Sequence, residues 1–143
     1  MILVDANILI YAYNDGAEQH DQAKQWLEDV FSSNDAVRLS LFSILTFLRL
    51  TTQRPVMAHP YSMTEASQIV DAWLDLDNVD VLQPGNRHWQ ILRNVLVNAQ
   101  IRGSMVSDAH LAALAIEHGA TLYTTDKDFS RFDGLRVVNP LVG

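Results

Sequence analysis

The chain opens on four apolar residues, Met1-Ile2-Leu3-Val4, that run straight into Asp5, with Asn7 two positions further on. A short continuous apolar run of this kind suits a strand buried on both faces, as in the centre of a parallel sheet. Such a strand calls for a helical layer on each side of it, which narrows the architecture to an α/β sandwich. It also places Asp5 at the carboxyl edge of the sheet, where open α/β folds hold their ligands. Taken alone, Asp5 or Asn7 is equally well read as the cap of the short helical segment Ile8–Tyr13.

The rest of the chain repeats the alternation. Glu18–Phe31 is expected as a helix, with Ala23, Trp26, Leu27 and Val30 at helical spacing. His20 and Lys24 share a face four apart and read as solvated surface. Ala36–Ser40 is a strand, and Leu41–Thr52 a helix so apolar through Leu50 that most of it is expected to be buried. Its one charge, Arg49, reads either as a partner of the helix C-terminus or as a phosphate-facing group. The prolines Pro55 and Pro60 mark Gln53–Tyr61 as a loop. Ser62-Met63-Thr64-Glu65 is a capping box that opens a helix to about Leu76, packed through Ala66, Ile69, Val70, Trp73 and Leu74.

Val79–Leu82 is a third strand, followed by a helix over roughly Asn86–Arg102 with Trp89, Leu92, Leu96 and Ala99 on its apolar side. For the neighbours His88 and Trp89, a core tryptophan beside a surface histidine is expected ahead of a base-stacking pair. After a break at Gly103–Ser107, Asp108–His118 is a helix closed by Gly119. Ala120–Thr124 is a strand, Thr125–Phe132 a polar turn, and Leu135–Val138 the last strand. The fold class is therefore α/β, a three-layer sandwich around a five-stranded, mostly parallel sheet. How the chain crosses from Arg102 to Asp108 is not written in the pattern.

Bulk properties set limits. At 143 residues, one domain over residues 1–143 is expected. No apolar run approaches the roughly 20 residues that span a bilayer, and Met1 leads into the first strand without a basic leader. The absence of cysteine rules out disulfides and thiolate metal sites. A cytoplasmic, non-membrane protein is the expectation. The net charge of −7 argues against a broad basic surface for nucleic acid, yet suits clustered carboxylates that a divalent cation would neutralise.

The segment from Asp108 to Asp128 supplies such a cluster. The helix Asp108–His118 covers roughly 15 Å, and the strand that returns from Ala120 to Thr125 roughly 17 Å. Equal lengths in opposite directions bring Asp108 and Asp126 to one edge. In a right-handed parallel arrangement that edge also holds Asp5, with Asp128 close behind. Each acid alone is an ordinary cap, dipole partner or turn residue. Together, without a counter-charge, they would raise one another's pKa. A hard cation relieves that, and oxygen ligands suit Mg²⁺ or Mn²⁺. Phosphodiester hydrolysis is the reaction class that fits best.

Three motifs now stand in order: Val4-Asp5-Ala6-Asn7, then Ser107-Asp108-Ala109-His110-Leu111-Ala112-Ala113-Leu114-Ala115, then Leu122-Tyr123-Thr124-Thr125-Asp126-Lys127-Asp128-Phe129. In these the chain resembles the PIN-domain ribonucleases, and among them the VapC-type toxins of toxin–antitoxin pairs. The resemblance implies a Rossmann-like five-stranded parallel sheet with Mg²⁺-dependent RNA cleavage at its carboxyl edge, Mn²⁺ being a plausible substitute. It implies Asp5 and Asp108 as metal ligands, and Asp126 as a further acid near the metal or the attacking water. Asn7 and Thr124 match positions that orient the acids, and Asp128 either assists or is structural. It further implies a cognate antitoxin and a homodimer.

One position departs from the family. A Glu-x-x-Arg arrangement is expected on the helix after the second strand, and this chain has Thr46-Phe47-Leu48-Arg49 there. Arg49 keeps its place, but the glutamate is a threonine. Less negative charge favours one cation over two, and it leaves a second reading open: a catalytically weakened PIN-like binding or regulatory module. A phosphotransferase of the haloacid-dehalogenase type also begins with an Asp-terminated strand, but needs an aspartate where Asn7 stands.

Overall fold

In the computed structural model, which describes residues 1–142, five short strands form a single sheet. Gly143, the last residue of the expected domain, lies outside the described residues. The strands are β1 (Ile2–Val4), β2 (Val37–Leu39), β3 (Val79–Val81), β4 (Thr121–Tyr123) and β5 (Arg136–Val138). They pair in the order β3-β2-β1-β4-β5, every pair parallel. The opening apolar run is thus the central strand. Successive residues of a strand point to opposite faces: Val4 joins one core cluster and Leu3 the other. Both are fully buried, which removes about 2 kcal/mol worth of apolar surface from water at each.

Helices cover both faces. On one side lie α1 (Ala6–Tyr13), α2 (His20–Phe31), α3 (Leu41–Thr51) and α4 (Met63–Leu74), packed through Ile8, Leu27, Phe47 and Trp73. The capping box forms as expected: the Ser62 hydroxyl accepts the Glu65 N–H, and the Glu65 carboxylate accepts the Ser62 N–H. On the other side lie α5 (His88–Asn98) and α6 (Met105–His118), whose Leu111, Leu114 and Val95 pack with Leu122 and Phe129. Gly119 closes α6 at φ 65°, in the left-handed region that glycine adopts without strain.

The crossing between β3 and β4 is resolved by the far end of α6. After β3 the chain runs back along that helix, with Gly85 and Arg87 N–H groups donating to the Glu117 carboxylate at 2.8 and 3.0 Å. His118 reaches the Gln83 carbonyl at 2.8 Å. A Cβ on Gly85 would sit 2.6 Å from a Glu117 carboxylate oxygen, so a side chain there would make the end of Glu117 shift. Helix α5 therefore starts near the end of α6 and runs antiparallel to it. The chain re-emerges at the carboxyl edge in time to begin α6.

Several local expectations give way. Leu41, Phe42 and Leu45 are exposed, because α3 packs on α1 and α4, burying Ser43, Ile44, Phe47 and Thr51, and among the described residues no element covers its other side. His88 is 9% exposed and Trp89 66%, the reverse of the expected pair. His88 is turned inward by His110, whose Nδ1 lies 3.0 Å from its Nε2. His20 is half-buried, with Nδ1 against the Tyr11 carbonyl at 2.9 Å, so it is more than solvated surface. The polar turn at 125–132 contains a 3-10 helix, Lys127–Arg131, because Phe129 and Phe132 insert into the core. Among the described residues, no helix is long and apolar enough to cross a membrane.

Candidate active site

From β1 the chain steps outward through β2 to β3, then returns on the other side of β1 as β4. The strand order reverses between β1 and β4, and a crevice opens at their carboxyl ends. Asp5 ends one strand and Thr124 the other. The Asp5 N–H continues the ladder to the Tyr123 carbonyl at 3.0 Å, and the Thr124 N–H reaches Val138 at 3.0 Å.

Both oxygens of Asp5 are engaged. As N-cap of α1 it accepts the Ala6 N–H at 2.7 Å on Oδ1, and the Thr124 hydroxyl donates to its Oδ2 at 2.7 Å. Thr124, 1% exposed, is the hub. Its oxygen also accepts the Asp126 N–H at 3.0 Å and an Asn7 Nδ2–H at 3.3 Å. Asp126 in turn caps the 3-10 helix by accepting the Asp128 N–H at 2.9 Å. The Asn7 Oδ1 is shut away from water and has no hydrogen-bond partner. Sequence reading offered cap or site for Asp5; the structure makes it a cap whose second oxygen is held toward the crevice partners.

Asp108 enters from α6. That helix begins at Met105, three residues earlier than the sequence pattern suggests, so Asp108 lies in its first turn and is half-buried above Leu111 and Ala112. Burial, then the charges of Asp126, Asp5 and Asp128, push its pKa up to about 6, and Arg131 pulls it back in part. A helix N-terminus by itself would lower it, so burial and crowding win. The Asp5 carboxyl is raised too, by burial first and by Asp126 last, against the opposing bonds from Thr124 and Ala6. Asp5, Asp108, Asp126 and Asp128 thus feel one another across the crevice.

The donor set suits a hard cation: carboxylate oxygens crowded without compensation, plus an orphaned amide oxygen on Asn7. Among the described residues, no three carboxylate or imidazole groups are already drawn together into a cation cage. Mutual repulsion holds such groups apart until a cation offsets it.

The candidate Arg49 and the departing position Thr46 both stay outside this network. Arg49 is exposed in the last turn of α3, with no ion pair or hydrogen bond to the acids. Thr46 spends its hydroxyl on its own helix, donating to the Phe42 carbonyl at 2.9 Å. Conversely, Arg131, within the stretch expected as a polar turn, lies near enough for its charge to act on Asp108. The signal available for it was its place five residues after Asp126, on the segment the acidic motif begins.

The family model described as the PIN domain matches residues 2–135. The chain belongs to the PIN-domain family. Within it, Ribonuclease VapC37 of Mycobacterium tuberculosis is 37% identical over 140 residues, covering 98% of this chain and 97% of the relative. Ribonuclease VapC33 of the same organism is 35% identical over 141 residues, covering 99% of each. The solved structure of VapBC2 from Rickettsia felis, bound to a DNA fragment from its promoter, superposes with a TM-score of 0.72 at 19% identity, over 97% of this chain and 98% of that one. Mycobacterium tuberculosis VapC20, described as a Sarcin-Ricin loop cleaving toxin, gives 0.66 at 21% identity, over 95% and 99%. At those identities the structural likeness is one of fold: the parallel PIN sheet expected from the sequence is the one observed.

Proposed function

We propose that this PIN-domain protein is a cytoplasmic endoribonuclease, the toxin of a toxin–antitoxin pair, and that Asp5, Asp108 and Asp126 form its divalent-cation site. The observation that carries the reading is the convergence, at the strand-order reversal, of like-charged acids from three distant segments around a hydrogen-bonded Asp5. The ribonuclease relatives, alike over nearly their whole length, support it.

Asp5 and Asp108 would hold Mg²⁺, or Mn²⁺ in its place, with Asp126 alongside. When bound, such a cation lowers the pKa of a water and stabilises negative charge on a phosphoryl oxygen. The chain's own part is orientation. Thr124 and the Ala6 N–H fix the Asp5 carboxylate in one rotamer before anything binds, which removes an ordering cost from the reaction. Thr124 also ties Asn7 and the Asp126 backbone into the same unit, so the acids of β1 and β4 are set as one piece. Asp128 supports Asp126 through its N–H. The exposed apolar side of α3 suits a protein partner, a second copy or the antitoxin.

Purified protein should cleave single-stranded RNA only with Mg²⁺ or Mn²⁺, and Asp5→Asn should abolish this. Unchanged cleavage by Asp5→Asn would overturn the mechanism. Thr46 favours a second reading, an inactive binding module with a carboxylate too few. In that case calorimetry would find no Mg²⁺ binding at millimolar concentration, and RNA would stay intact.

A further inference from the structure

Arg131 ends the 3-10 helix that Asp126 begins, and it is exposed. Its Nη1 donates to the Met105 sulfur at 3.3 Å. Met105 is the first residue of α6, and Asp108 lies three residues on, on the same side of the helix and one turn further. The guanidinium therefore lies against the turn that presents Asp108, on the segment that presents Asp126 and Asp128. Its charge is the one that offsets the acids around Asp108.

The guanidinium is also largely unspent. A thioether is a weak acceptor, and Arg131 has no other hydrogen-bond partner among the described residues. No lysine or arginine among them forms an ion pair with a carboxylate. A planar fork with free donors at the rim of an acidic crevice is built for an oxyanion with bidentate geometry. The acids repel RNA phosphates, and a chain of net charge −7 supplies little long-range attraction. A local cation at the rim answers both problems.

We propose that Arg131 contacts a phosphate of the RNA substrate beside the scissile bond, the role that sequence spacing suggested for Arg49. This rests on the ribonuclease reading above. The contact would hold the strand at the Asp108 side of the crevice and leave the reacting atoms to the acids.

The test is binding of a short fluorescent single-stranded RNA to Asp5→Asn protein, with and without Arg131→Met, across a salt series. The methionine keeps the aliphatic packing and removes the fork. Affinity is expected to fall about tenfold, and the slope of log affinity against log salt to become shallower by about 0.7, the value for one phosphate contact on a single strand. In the otherwise wild-type protein, Arg131→Met should raise KM more than it lowers kcat, with Arg131→Lys recovering part of the loss. Equal affinity and an unchanged slope for Arg131→Met would overturn the inference, as would a loss that appears with Arg49→Met instead. Should Arg131→Met melt early, Arg131→Gln, which keeps a polar side chain and loses the charge, carries the test: unchanged KM together with an unchanged salt slope overturns the proposal. Wild-type protein that cleaves no RNA would overturn the parent reading, and this inference with it. Cleavage with Arg131 indifferent would sink this inference alone.

Discussion

Helix α6 carries an acid at each end, and the two live by opposite rules. Asp108 is in the first turn, where the helix dipole favours negative charge, yet its pKa is pushed up to about 6. Glu117 is in the last turn, where the dipole disfavours it, yet its pKa is lowered. Burial works against Glu117 as well, but the N–H groups of Gly85 and Arg87, with His118 and His88 nearby, outweigh it. The dipole decides neither case. Local partners do: Glu117 has donors aimed at it, while Asp108 faces other carboxylates. One acid is satisfied and holds the crossover in place; the other is left frustrated where a cation can settle. On the function proposed above, the structural and the site acid of this helix differ in whether the folded chain completes their coordination.

The largest test of that contrast removes the frustrated acid. Asp108→Asn should lower Mg²⁺-dependent RNA cleavage by on the order of 10³-fold, the equivalent of several kcal/mol of charge stabilisation, in a single-turnover assay. Equal cleavage would mean that the crowding at Asp108 serves no chemistry. Thr124→Val keeps the shape of the hub and deletes its bonds to Asp5, Asn7 and Asp126. It should cost about 10–100-fold in kcat with the fold retained by circular dichroism.

At the other end, Glu117→Ala should leave Asp108 its chemistry and cost stability, about 1–2 kcal/mol in urea unfolding, by trading the bonds from the exposed Gly85 and Arg87 N–H groups for bonds to water. If it abolished cleavage without lowering stability, the division between the two acids would be wrong.

A pH series sharpens the comparison further. The folded pKa of Asp108 lies above its ordinary 3.8. Between there and about 6 the folded state binds more protons than the unfolded one, so stability falls as pH rises through this window. Asp108 is only partly buried and water screens it, so the fall should be on the order of 1 kcal/mol in metal-free buffer. Asp108→Asn should flatten that part of the profile; an identical profile would contradict the assignment. The smallest effect belongs to Gly85→Ala. The carboxylate end of Glu117 is flexible and can swing aside, so the loss should stay under about 1 kcal/mol, read as a small drop in melting temperature.

Much of this molecule was legible in one dimension. The apolar run ending in Asp5 specified a central parallel strand, because a strand covered on both faces needs no polar alternation. The matched spans from Asp108 to His118 and back through Ala120 to Thr125, rather than the full lengths of α6 and β4, brought Asp108 and Asp126 to one edge, because rise per residue is a property of the backbone. Ser62, Glu65 and Gly119 announced helix ends through local chemistry alone.

What escaped was everything that depends on which neighbour arrives from far along the chain. Trp89 and His88 exchanged places because His110 and Glu117 lie on another helix. The apolar α3 was left half uncovered because periodicity records how apolar a face is, and not whether another element covers it. Arg49 kept its motif position and lies apart from the acids, whereas Arg131, unremarked in a turn, was delivered to their rim by a 3-10 helix anchored on Phe129. Backbone geometry is local and can be read from spacing. The completion of a polar group's bonds is a tertiary event, decided only when distant segments meet.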